Sequence, residues 1–213
     1  MATTHSTAPA NYEKLLVPTI DWEFGDLKLI PRSIVEQHYN FHKTHVDEYN
    51  TAVEFLPACR RRSSVASDTS MQQSKIDMLA ESHMNYCLFW KNLSPPSKWG
   101  GKEPEPTSEF GKQIVKQFGS VDELIDKFDE LLESIKVRGW VFLVKTRGGK
   151  ELKLIATDND KTVPFKYVPL LAIDAWDHSF ESQYNMSREK YFAEIWDVIN
   201  WHEAERRFNE EGL

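Results

Sequence analysis

The residues whose types and spacing could do chemistry fall in two distant stretches of this 213-residue chain. Late in the sequence, Asp174 and His178 stand four residues apart with Trp176 between them, at the exit of the apolar run Tyr167-Val168-Pro169-Leu170-Leu171-Ala172-Ile173. A run of that length reads as a buried strand. A carboxylate and an imidazole delivered together from a buried strand end suit a Mn or Fe ion. A metal-free Asp–His hydrogen bond at a strand–helix corner fits the same spacing. Far upstream, His38, His42 and His45 recur at i, i+4 and i+7 and so share one helix face. That stripe is either a source of ligands or a polar seam packed on a neighbouring helix.

These side chains need elements to carry them. Residues 14–30 read as extended, with Ile20, Trp22 and Phe24 alternating before a turn at Gly25-Asp26. Pro31 opens a helix from Arg32 to about Phe55, which Pro57 ends. Arg60 to Gln73 has the composition of an exposed loop, whose Arg60, Arg61 and Arg62 are either solvated or local phosphate contacts. A second helix, Ser74 to Leu93, stops at Ser94-Pro95-Pro96. The two helices make an antiparallel hairpin that brings His38 and His42 against His83 or Tyr86. Past a Gly100-Gly101 link, helices are predicted at 107–118 and 121–135, the latter opened by a Ser120/Glu123 capping box. Strands follow at Val137–Lys145, Glu151–Ala156 and Val168–Asp174, with Arg147-Gly148-Gly149-Lys150 as a hairpin turn and Asp158-Asn159-Asp160 as a loop. Two helices, near 187–199 and 200–210, close the chain. The fold class is α+β: an extended segment (1–30), a helical hairpin (31–96), a linker (97–106) and a C-terminal lobe (107–213) with a three-stranded antiparallel sheet covered by helices.

Composition narrows the function classes. Seven Trp and 12% aromatic residues mark a packed globular protein. The net charge of −7 argues against a surface devoted to nucleic-acid backbones. No apolar run approaches the ~20 residues of a membrane span. Cys59 and Cys87 lie in different segments without a CxxC or framework spacing, which points to a reducing compartment. Residues 1–13 lack the apolar core of a secretory signal, and the first arginine is Arg32, unlike an Arg-rich presequence. Import by another signal, a presequence absent from this sequence, and a cytosolic location all fit.

The hairpin motif Asn85-Tyr86-Cys87-Leu88-Phe89-Trp90-Lys91-Asn92-Leu93, with Arg138-Gly139-Trp140-Val141, the Asp174-Ala175-Trp176-Asp177-His178 group and Ile195-Trp196-Asp197-Val198-Ile199-Asn200-Trp201, resembles the iron/manganese superoxide dismutases from Leu16 to Phe208. The resemblance implies an ion held by three histidines, one aspartate and a water or hydroxide, and a dimer formed near it. Residue by residue, Asp174 and His178 stand at the family's carboxylate and last histidine. His38 stands at the first histidine when Ile34-Val35-Glu36 sets the register; without a one-residue gap near His45, Gln37 would take that place. Where the family reads N-H-x-x-F-W, Tyr86 replaces the remaining ligand histidine. Tyr86 as phenolate, or His83 one turn away, could substitute for it. His45 falls at a gateway tyrosine, Asn159 at a water-tuning glutamine, Asp177 at a subunit-bridging glutamate and Glu181 at a dimer-face tyrosine. His42, His45, Asn159 and Trp176 would line the site.

With so many positions altered, the expectation is a degraded metal site without a cofactor, in a non-catalytic component similar to the superoxide-dismutase-like subunits of the fungal mitochondrial small ribosomal subunit. That reading places the chain in the mitochondrion, with the cytoplasm as alternative. Its partners are proteins: a second copy or a related chain through Asp177 and Glu181. A local rRNA contact through Arg60, Arg61 and Arg62 completes it, with no membrane. The alternative is an active Fe/Mn superoxide dismutase with an unusual ligand set, carrying Mn or Fe.

Overall fold

A computed structural model describes residues 12–62, 66–175 and 188–210, with the side chains of residues 58–62, 66–67 and 188–189 outside that description. The hairpin consists of α1 (Arg32–Arg62) and α2 (Ala66–Lys91), both longer than the sequence predicts. Pro57 does not end α1 but lies inside it, and most of the expected 60–73 loop is helical. The helix continues past its proline because the outer end of the hairpin has its own core. There Tyr49, Ala52 and Leu56 pack on Ile76 and Leu79, and that burial offsets the lost backbone bond.

The C-terminal lobe begins with α3 (Glu109–Phe118) and α4 (Val121–Ser134). Ser120 caps α4 by accepting from the Glu123 N–H at 3.0 Å, as the capping-box pattern predicts. Strands β1 (Gly139–Thr146), β2 (Leu152–Asp158) and β3 (Tyr167–Asp174) form an antiparallel sheet in the order β2-β1-β3. The central strand is buried along most of its length, with Trp140 to Val144 wholly inside. Helix α5 (Arg188–Ile195), a 3₁₀ turn at Trp196–Val198 and α6 (Trp201–Asn209) follow. The register pairs Trp140 with Asp174 across β1 and β3, so the end of β3 delivers its carboxylate beside a tryptophan.

One side chain couples the two lobes. Asn92, just past α2 and fully buried, donates from Nδ2 to the Leu170 carbonyl (3.0 Å) and accepts at Oδ1 from the Ala172 N–H (2.9 Å). It thereby satisfies the free edge of β3, whose other edge pairs with β1. The Asn200 N–H donates to the Asn92 carbonyl at 2.7 Å and ties the start of α6 to the same point. Asn92→Ala strands two buried backbone groups, each worth about 1–3 kcal/mol. We expect chemical denaturation to show a loss of about 2–5 kcal/mol, whereas a loss within ±0.5 kcal/mol would mean that the edge is satisfied in another way.

Candidate functional site

Helix α1 and strand β3 meet at a buried imidazole and a buried carboxylate. His38 Nε2 lies 2.9 Å from Asp174 Oδ2, and its Nδ1 lies 3.0 Å from the Ile34 carbonyl one turn back. A carbonyl can only accept, so Nδ1 carries a proton and donates it. Nε2 then either bears a second proton or turns a lone pair toward a carboxylate, which repels unless a cation sits between them. Burial pushes His38 toward its neutral form, but the Asp174 charge, its hydrogen bond and the Ile34 carbonyl outweigh that and leave the pKa raised. The donor set also fits a metal ion: two ligand atoms each about 2.1 Å from one ion and at right angles are about 3 Å apart. An Nδ1–H held by a backbone carbonyl is the usual support of a metal-binding histidine.

The surroundings hold this pair rigidly. Tyr191 Oη donates to Asp174 Oδ1 at 3.3 Å. The His38 ring lies between Phe89 and Tyr191, with centroids at 5.6 and 6.2 Å. Leu27, Ile34 and Val35 add an apolar wall. Tyr86 is fully buried; its ring stacks on His42 at 5.0 Å and meets Trp140 edge-on at 5.1 Å. Burial, with the Asp174 and Asp160 charges, raises its pKa well above the usual phenol value.

His42 joins a different group. Trp90 Nε1 donates to His42 Nδ1 (3.0 Å), and His42 Nε2 lies 2.9 Å from His83 Nδ1. His83 Nε2 lies 3.4 Å from Cys87 Sγ. The ligand atoms of His42, His83 and Cys87 fall within 4.8 Å of one another, a spacing that could hold an ion. The indole sets the direction of the chain, however, because it only donates. His42 Nδ1 must accept, so Nε2 carries the proton and gives it to His83. A cation bound at Nε2 would move that proton to Nδ1, against the indole N–H. The trio is therefore a hydrogen-bonded relay that ends on Cys87, whose thiol burial pushes up to about 11. His45 points elsewhere: its Nδ1 lies 2.6 Å from Ser82 Oγ and its ring packs edge-on against Phe41 at 4.5 Å.

Of the residues singled out from the sequence, the structure brings together His38, Asp174 and Tyr86, with His42 and His45 around the phenol. Asn159 is not among them. It is exposed, with φ 55°, and accepts at Oδ1 from Arg138 Nε at 2.8 Å. That left-handed turn sends the next residue inward, so the buried side chain is Asp160, which sequence reasoning passed over. The nearest signal was the run Asp158-Asn159-Asp160, where an Asn between two acids favours positive φ. Trp176, Asp177, His178 and Glu181 lie outside the described residues, as do the side chains of Arg60, Arg61 and Arg62. No helix among the described residues is long and apolar enough to cross a membrane.

Comparison with known proteins bears on what this geometry is for. The family models for the alpha-hairpin domain and the C-terminal domain of iron/manganese superoxide dismutases match residues 14–94 and 106–207. A probable mitochondrial manganese superoxide dismutase of Debaryomyces hansenii is 40% identical over 208 residues, spanning 96% of this chain and 98% of the relative. The mitochondrial manganese superoxide dismutase of Saccharomyces cerevisiae is 41% identical over 210 residues (94% and 89%), and that of Candida albicans 39% identical over 217 residues (97% and 92%). These relatives overturn the expectation of a non-catalytic ribosomal component without a cofactor. Each is named for dismutation with manganese, and the buried His38–Asp174 pair is a donor set that still fits an ion.

The relay makes a prediction about protonation. Burial, then the neighbouring His83 and His45, lower the His42 pKa to about 3. Between about 6.5, the ordinary histidine value, and about 3 the unfolded chain takes up a proton that the folded one does not. His42 therefore removes stability as the pH falls through 6.5. Nitrogen chemical shifts of metal-free protein should keep His42 as the neutral Nε2–H tautomer from pH 8 to about pH 5; a titration near 6.5 would contradict the relay.

Proposed function

Because the chain belongs to the iron/manganese superoxide dismutase family, we propose that it is a mitochondrial superoxide dismutase that works with manganese or iron and an altered ligand set. Its relatives are named mitochondrial, and the mitochondrion is its compartment. The observation that carries the proposal is the 2.9 Å approach of His38 Nε2 to Asp174 Oδ2 in a fully buried setting. His38 and Asp174 would hold the ion, joined by His178, while Tyr86 stands at the remaining position.

Two superoxide anions and two protons become one dioxygen and one hydrogen peroxide, so the site must handle one electron at a time and supply protons. When bound, the metal supplies the one-electron chemistry, accepting an electron from one superoxide and returning it to another. The chain's own residues do the rest. The Ile34 carbonyl fixes the His38 tautomer, so Nε2 is free to ligate. Tyr191 orients the Asp174 carboxylate through its hydroxyl. Phe89, Ile34 and Val35 keep bulk water from the back of His38. Tyr86 is buried beside the site, and burial with the Asp174 and Asp160 charges favours its protonated form, so its hydroxyl is a group that can donate a proton there.

Asp174→Asn tests the proposal with little change of shape. Metal analysis of the purified variant should show manganese plus iron falling roughly tenfold or more, with superoxide consumption falling in parallel and far-ultraviolet circular dichroism unchanged. Full metal content in the variant would show that the ion sits elsewhere, and full activity without metal would sink the claim that the activity is the metal's.

A further inference from the structure

The sign of the charge reverses at one end of the sheet. The whole chain carries 26 Lys or Arg against 33 Asp or Glu. Yet the turn from β1 into β2 and the loop entering β3 expose Arg147, Lys150, Lys153 and Lys166, and the only acid within residues 146–153 and 163–167 is Glu151. Glu151 lies 3.4 Å from Lys153 Nζ, and Glu109 of α3 lies 3.3 Å from Lys150 Nζ. The two segments meet directly, because the Arg147 N–H donates to the Lys166 carbonyl at 2.8 Å.

An apolar ring projects from that basic end. The Tyr167 N–H donates to the Pro164 carbonyl at 2.9 Å, so Phe165 and Lys166 occupy the apex of a β-turn. Such positions ordinarily take Gly, Asn, Asp or Ser. Here the Phe165 side chain is 83% exposed. Arg147 braces it from below: Nε donates to the Phe165 carbonyl at 2.8 Å, and the guanidinium lies 4.3 Å from the centre of the ring. The ring is thus held outward on a fixed turn, with cations on its flanks.

We propose that this end of the sheet is a peripheral docking surface for an anionic phospholipid bilayer, with Phe165 entering the interface and Arg147, Lys150 and Lys166 meeting headgroup phosphates. The shape favours a flat partner over a strand. Single-stranded nucleic acid is held in grooves by successive stacking rings, whereas here one ring stands on a convex turn. A bilayer takes a single ring into its interface while neighbouring cations reach its phosphates. A chain of net charge −7 is repelled by such a surface except where its own sign reverses, and that sets the direction of approach. The contact is superficial, since no helix among the described residues is long and apolar enough to cross a membrane. It goes beyond the dismutase reading and does not rest on it.

The test is co-sedimentation of the whole metal-loaded chain with vesicles of phosphatidylcholine, alone or with about one-third phosphatidylglycerol, at about 0.02 M and about 0.5 M salt. The parent should pellet with anionic vesicles at low salt, and several-fold less with neutral vesicles or at high salt. Phe165→Ser and Lys166→Glu should each cut the bound fraction several-fold, and Phe165→Trp should keep it, with metal content and superoxide consumption unchanged in all three. Equal binding to both vesicle types, no binding of the parent at low salt, or parent-like binding by either Phe165→Ser or Lys166→Glu overturns the surface. So does tighter binding of a single-stranded oligonucleotide that Phe165→Ser abolishes, which would make the partner a nucleic acid.

Discussion

A histidine that must donate from one nitrogen to a backbone carbonyl, and must face a carboxylate with the other, cannot be left alone in a protein interior. The His38–Asp174 contact joins residues 136 positions apart and sets what the remainder of the molecule has to do. It needs two helices long enough to bury one ring, a sheet edge held against them, and a cation or a proton between the two groups. Everything at the site is arranged around that electrostatic demand, with Tyr191 on one carboxylate oxygen and aromatic faces on both sides of the imidazole.

The lobes meet through polar groups as well as through the apolar core. Asn92 closes the open edge of β3 and Asn85 reaches the Asp160–Lys161 backbone, so α2 is fastened to the sheet lobe at both ends of the site. These bonds fix position where burial alone would allow sliding. Tyr86 lies between them, and its phenol takes its character from that location, buried and with two carboxylates within electrostatic reach.

Much of this was legible in the sequence because its signals are local. The apolar run ending at Asp174, the capping box at Ser120 and the histidine stripe all appear where their patterns place them. The errors arose where tertiary contacts outvote local preference. Pro57 was expected to stop α1, but Leu56 packs into the outer core and carries the helix on. Asn159 was expected at the site, yet its left-handed turn, braced by Arg138, hands that place to Asp160. The reading of function erred by letting several altered positions, Tyr86 among them, stand for the end of metal chemistry. They weigh less than His38 and Asp174 kept in contact, in a chain alignable over nearly its whole length with manganese dismutases.

The relay through Trp90, His42, His83 and Cys87 illustrates how a donor-only group can settle a question that distances leave open. By spacing the trio is a metal site; by proton direction it is not. The most direct measurement is the decay of superoxide after pulse radiolysis in the presence of manganese-reconstituted protein, with bound manganese determined on the same sample. The account predicts catalytic decay whose rate rises in proportion to bound metal, and decay at the spontaneous rate with manganese fully bound would contradict it.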